Sequence, residues 1–320
     1  MEKKTLHMIG NSHIDPVWYG DLDEGMQQVK ATFASALDRL RESGEVKFTA
    51  TSAAFFEWIE AVDPEMFREI QERVAQGRFE LTGGWLIEPD CILPCGEAFV
   101  RQGLYGQRYF REKFGVICRT GSNVDSFGHS QMLPQILRKS GMKEYVFMRP
   151  RLETPLFEWE SEDGSRVRAV SLPSEYTTWF YEPAREAVEA ALSASRRQGL
   201  ASMVCCYGVG NHGGDLTKEN IRTVRRLDQE REDADLIFST YGAFFDGISQ
   251  EDGQKVTAQR VFFDGINTGC YSMDGVLKKG NRQAENRILQ AESMLAMERL
   301  FLGECGKRQT DCLEQTTERR

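Results

Sequence analysis

Short apolar runs alternate with longer amphipathic ones along most of the chain, and that alternation predicts strands followed by helices. Runs at 6–9, 46–51, 79–82, 116–124, 144–148, 202–207 and 236–239 have the length and composition of strands. Between them, 26–43, 53–62, 64–76, 97–114, 131–140, 182–198 and 218–231 repeat apolar positions every three or four residues, as one-faced helices do. Several ends are marked: Ser52 is a cap before 53, and Gly44, Gly77 and Gly115 follow the last periodic positions. The runs 156–159 and 167–172 flank Glu162-Asp163-Gly164-Ser165 and predict a hairpin.

Strand-helix alternation at this density gives an α/β fold, a parallel sheet under covering helices. The chemistry-bearing side chains stand just after strand ends. They are His13 and Asp15, Ser52, Glu88 and Asp90, Asp125, Arg149, Glu175 and Tyr176, and Asn211 and His212. A (β/α) barrel gathers such loops from every strand onto one face, whereas an open sheet uses mainly those at a switch point. A barrel is therefore expected over 1–250. Residues 272–300 form one long helical pattern, expected to open a helical second domain within 251–320.

Composition narrows the function classes. The 320 residues are 40% hydrophobic and 28% charged, ordinary for a globular protein. A net charge of −9 with no basic cluster argues against nucleic acid as a partner. No apolar run approaches the length of a membrane span, and the N-terminus lacks the apolar core of a signal peptide. The eight cysteines then read as free thiols, and a cytoplasmic location is expected.

Four stretches carry chemistry. In Asn11-Ser12-His13-Ile14-Asp15-Pro16-Val17-Trp18, an extended segment puts His13 and Asp15 on one side. Imidazole with carboxylate suits zinc, and the Trp18 face suits a sugar ring. The competing reading is an Asp-Pro turn with His13 bonded to backbone. In Val124-Asp125-Ser126-Phe127-Gly128-His129-Ser130, Asp125 at a strand end can touch a metal or attack a carbon. Its competitor is a helix cap, with His129 on the surface of that helix.

Trp85-Leu86-Ile87-Glu88-Pro89-Asp90 joins an aromatic face to two carboxylates, the groups sugars need, or is a solvated acidic loop. Tyr207-Gly208-Val209-Gly210-Asn211-His212-Gly213-Gly214 satisfies G-x-G-x-x-G. The strand that follows has no acidic end residue for a ribose, so close backbone approach to a substrate accounts for the glycines as well.

In order and together, these stretches resemble the glycoside hydrolase family 38 α-mannosidases, collinearly from about residue 6 to residue 300. The resemblance implies a seven-stranded β/α barrel followed by a helical bundle, and retaining, zinc-assisted cleavage of α-mannosides. It implies His13, Asp15 and Asp125 as ligands of zinc or another divalent cation, and Asp125 also as nucleophile. Trp18 would floor the sugar subsite, with Trp85, Asp90, Arg149, Asn211 and His212 as further sugar contacts.

Two departures follow. The family's fourth metal ligand is a His in the helical region, and the last histidine here is His212. Asn211 stands where some relatives carry Asp, which leaves Glu88, Asp90 and Asp215 as acid/base candidates. The helical domain reads as truncated, exposing Ile288, Met294, Leu295 and Leu300 to association with a partner or a second copy. The alternatives are a metal-dependent carbohydrate deacetylase, with Asp125 as base, and an inactive remnant that binds sugar or metal.

Overall fold

The computed structural model describes residues 3–178, 180–210, 214, 216–263 and 266–302. Its strands are Lys4–Gly10 (β1), Phe48–Ala50 (β2), Phe79–Leu81 (β3), Thr120–Asn123 (β4) and Glu144–Phe147 (β5). They continue with Leu156–Glu160 (β6), Arg166–Ser171 (β7), Ser202–Tyr207 (β8), Ala234–Ser239 (β9) and Ala258–Gln259 (β10). β1 lies between β8 and β9, parallel to both. β2 pairs in parallel with β3. The third ladder runs β10–β6–β7–β5–β4, parallel except for the β6–β7 hairpin, which sets Leu156 opposite Val170.

The fold is thus α/β with mixed sheets, but the continuous seven-stranded barrel is not found. Among the described residues no closed ladder runs around the strands. β2 and β3 have three residues each, too few to pair at length on both edges. Single contacts join the ladders instead. Asn11 bridges Thr49, Thr178 bridges Gly208, and the Gly83 N–H donates to the Thr120 carbonyl at 2.9 Å.

Local chemistry sets the helix ends. The Asp21 carboxylate accepts from the Glu24 N–H at 3.1 Å, and Glu24 returns to the Asp21 N–H at 3.2 Å. This capping box starts the helix at Leu22, ahead of the 26 expected from periodicity. Helices Gly96–Phe114 and Tyr181–Gln198 both stop at a left-handed glycine, Gly115 and Gly199.

The chain divides into two compact units, Met1–Asn267 and Thr268–Arg320. The first holds two apolar clusters. One packs β1, β8 and β9 with Phe33, Phe56 and Phe79, and the other gathers Trp85, Phe99, Tyr145, Phe147, Trp159 and Phe263. With β10 and Phe263, the first unit continues past 250. In the second unit the helix Gly275–Leu302 exposes Ile288, Met294 and Leu300, with Leu295 half-buried. Among the described residues no helix is long and apolar enough to cross a membrane.

Candidate active site

Loops following β1, β2, β3 and β4 converge on a cleft of about 340 Å³ lined by His13, Asp15, Ser52, Glu88, Asp90 and Asp125. His13 is its most enclosed ionisable group, 7% exposed. Its Nε2 stands 3.4 Å from Asp15 Oδ1 and 4.0 Å from Asp125 Oδ2, and its Nδ1 stands 3.5 Å from Glu88 Oε2. Arg149, two residues beyond β5, donates from Nε to Asp125 Oδ1 at 3.1 Å, and its Nη2 donates to the same oxygen. The Tyr176 ring meets the His13 ring edge-on, centroids 5.2 Å apart.

Charge and burial compete at His13. Burial alone would lower its pKa, but the carboxylates of Glu88 and Asp15 outweigh that and push it up to about 10. Three acidic side chains are thus gathered around one imidazole, Glu88 on the Nδ1 side and Asp15 and Asp125 on the Nε2 side. Burial also raises the Tyr176 hydroxyl, and the charges of Asp125 and Asp15 add to the effect.

Two close approaches seat the His13 loop. A Cβ on Gly25 would fall 2.0 Å from the Pro16 carbonyl oxygen, so only glycine lets the helix Leu22–Glu42 pass under that loop. Gly208, at φ +131°, faces the Asn11 carbonyl, which a Cβ would meet at 2.4 Å. The close approach at this glycine is to the neighbouring chain segment, not to a substrate. The Asn11 side chain completes the anchorage, donating to the Tyr176 carbonyl at 2.9 Å.

Residues 3–263 match the Glycosyl hydrolases family 38 N-terminal domain. The chain belongs to glycoside hydrolase family 38. It is 30% identical over 306 residues to Alpha-mannosidase 2C1 of Mus musculus, covering 92% of this chain and 29% of that protein. It is 28% identical over 304 residues to Alpha-mannosidase G of Dictyostelium discoideum, covering 92% and 28%. An alpha-mannosidase from Enterococcus faecalis V583 shares the fold, with TM-score 0.71 and 17% identity over 81% of this chain and 31% of that one. The chain thus spans less than a third of the length of each of these proteins.

Family 38 membership raises the question of a metal, and the donor set can be tested directly. Among the described residues no three or more His, Cys, Asp or Glu side chains form a ready metal cluster. His13 Nε2 is nevertheless buried and makes no hydrogen bond. Its 3.4 Å separation from Asp15 Oδ1 equals the edge of a tetrahedral zinc site, roughly 3.3–3.6 Å for zinc bonds of ordinary length. The 4.0 Å to Asp125 exceeds that edge. The donors fit a divalent cation in kind, with His13 and Asp15 at ligand spacing and Asp125 beyond it.

Several sequence-based assignments meet the structure differently. Trp85 is not a sugar contact. It is fully buried, edge-on to Phe99 at 5.7 Å, with its indole N–H donating to Asn123 at 3.0 Å. His129 is not on a helix surface. It is fully buried, between the Tyr145 hydroxyl and the Arg149 carbonyl. Asp125 is no helix cap, since the next helix begins at Leu133 with Met132 at its cap. Trp18 is half-exposed and stacks on Tyr19 at 4.2 Å. Asp90 lines the cleft, its Oδ1 accepting from the Ile92 and Leu93 N–H groups at 2.8 Å each. Asn211, His212 and Asp215 lie outside the described residues.

Ser52 stands where the sequence predicts an ordinary cap. It makes no side-chain cap bond and sits at φ 67°, ψ 101°, a backbone state that costs about 1–3 kcal/mol in a residue with a side chain. Its Oγ instead accepts from the Glu88 N–H at 3.1 Å. Its place before a helix carried no mark of this.

Proposed function

We propose that this cleft takes the terminal mannose of an α-mannoside and cleaves its glycosidic bond with retention. The observation that carries the reading is the meeting of His13, Asp15 and Arg149-held Asp125 in one cleft, inside the stretch that matches the family. The three ladders, joined by single bridges, are read as arcs of the family's barrel.

Asp125 attacks the anomeric carbon. A bond forms from its carboxylate oxygen to that carbon as the bond to the leaving oxygen breaks, and a carboxyl group gives that oxygen its proton. Water then attacks the same carbon, the second carboxylate takes the water's proton, and Asp125 is released. Of the two candidate carboxyl groups that line the cleft, Glu88 faces His13, so we assign the proton transfers to Asp90. Arg149, on Oδ1, fixes the plane of the Asp125 carboxylate. A divalent cation held by His13, Asp15 and Asp125 would supply a Lewis acid for the sugar hydroxyls. Trp18 would lie against the ring, with Asn211 and His212 as further contacts.

The test is incubation with a fluorinated mannosyl fluoride, followed by mass spectrometry of the peptide carrying Asp125. A mannosyl adduct on that residue, with α-mannose as the first product seen by NMR, is expected. Acetate released from an acetylated sugar, with Asp125 unlabelled, would overturn the reading in favour of a deacetylase.

A further inference from the structure

We propose that Glu88 is a positioning residue for His13, its carboxylate holding the proton on Nδ1 so that Nε2 is presented to Asp15 and Asp125. The inference rests on the reading of His13 as a metal ligand and deepens it. Ligand histidines commonly donate their second ring N–H to a carboxylate, which fixes the tautomer and the plane of the ring. Glu88 is placed for this: Oε2 lies 3.5 Å from Nδ1, on the side of the ring away from the nitrogen that meets Asp15, and a shift of a few tenths of an ångström would close the hydrogen bond.

The backbone under Glu88 is unusually well fixed. Three successive amides are tied down. The Leu86 N–H donates to the Gln102 carbonyl at 2.9 Å, the Ile87 N–H to Gln102 Oε1 at 2.9 Å, and the Glu88 N–H to Ser52 Oγ at 3.1 Å. Gln102 belongs to the helix Gly96–Phe114, so the segment is fastened to a rigid element. The strained backbone of Ser52 finds its use here, because it aims the hydroxyl that receives the Glu88 amide. The Glu88 side chain is 13% exposed, and its Oε2 is buried with His13 Nδ1 as the nitrogen it faces. Asp90, two residues on, instead turns Oδ1 to the loop amides of Ile92 and Leu93. The two carboxylates of this segment thus have different tasks.

The experiment uses the ¹⁵N-labelled chain, zinc-free and then titrated with zinc. In the zinc-free protein the His13 Nδ1 proton is expected as a slowly exchanging downfield resonance, assigned by its absence in His13→Gln. Glu88→Ala loses that resonance, and Glu88→Gln, which keeps an acceptor of the same size, retains it at a shifted position. An unchanged resonance in Glu88→Ala overturns the proposal, whether or not zinc binds. Should Glu88→Ala not fold, an unshifted resonance in Glu88→Gln overturns it equally. On zinc titration, Glu88→Ala is expected to bind about 10–100-fold more weakly than the parent chain, and Glu88→Gln less so. Equal zinc affinity also overturns it. Failure of the parent chain to bind zinc overturns the ligand reading of His13 alone, and the ring-proton comparison then decides the part played by Glu88.

Discussion

The Tyr145 hydroxyl stands 2.9 Å from His129 Nδ1, while the other ring nitrogen stands 2.8 Å from the Arg149 carbonyl oxygen. A carbonyl only accepts, so Nε2 carries the proton and Nδ1 accepts from Tyr145. A neutral ring with one defined tautomer therefore pins the backbone of the residue whose guanidinium holds Asp125. Tyr145→Phe would leave Nδ1 buried without a donor. Urea unfolding is expected to show a loss of about 1–3 kcal/mol.

Acid should weaken the fold earlier than carboxylate chemistry alone would. Burial, aided by the Lys47 charge, lowers His7 to about 4, and burial lowers His129 to about 3. Both lie below the ordinary value of 6.5, so the unfolded chain takes up these protons first. Their contribution is complete above about pH 6.5 and is lost progressively as pH falls, down to about 4 for His7 and about 3 for His129, by up to ~1.4 kcal/mol per pH unit for each ring. Urea midpoints at pH 7, 5.5 and 4.5 measure the slope. His7→Gln, which can still reach Ser239, is expected to flatten it.

Zinc should bind the purified chain at about one ion per molecule with at least micromolar affinity. His13→Ala is expected to abolish that uptake in equilibrium dialysis with metal analysis. Full retention of zinc by the variant would place the ion elsewhere.

The two tryptophans of the sugar-like stretches should separate cleanly. Trp85→Ala removes a fully buried indole, and a stability loss of about 3–5 kcal/mol is expected. Trp18→Ala touches a half-exposed ring, and a change within about 0.5 kcal/mol is expected. If Trp18 meets the sugar, its variant instead weakens binding of a mannoside in titration calorimetry.

Much of the fold is written in local chemistry. Gly115 and Gly199 end helices because left-handed backbone suits glycine, and Asp163-Gly164 turns the β6–β7 hairpin. Strand extents are harder. The run 116–124 shortens to Thr120–Asn123, because β composition does not say which backbone groups find a partner. β10, two residues long, has no period to detect. At the site, His13, Asp15, Glu88, Asp90 and Asp125 were legible as residues that follow strand ends. Trp85 was not, because an aromatic beside carboxylates reads alike whether it faces sugar or core. The missed signal is on a different element. Gly103 and Gly106 share one helix face, and a Cβ on Gly106 would meet the Trp85 backbone at 2.3 Å. That notch is where the Trp85 segment enters. His129 and Tyr145 were unreadable as a pair, since only the folded sheet brings them together.

β1 is held on both edges, and Leu6, Met8 and Ile9 are at most 1% exposed. Such a strand exchanges its amide hydrogens through global opening rather than local fraying. His13 and Asp15, anchored three and five residues past Gly10, thus ride on the slowest-opening part of the molecule. Adaptation to different occupants falls to the other end of the same loop. Val17, Trp18 and Tyr19 are 62%, 50% and 76% exposed, so a change of side-chain position there disturbs no core packing while His13 and Asp15 stay where the strand puts them.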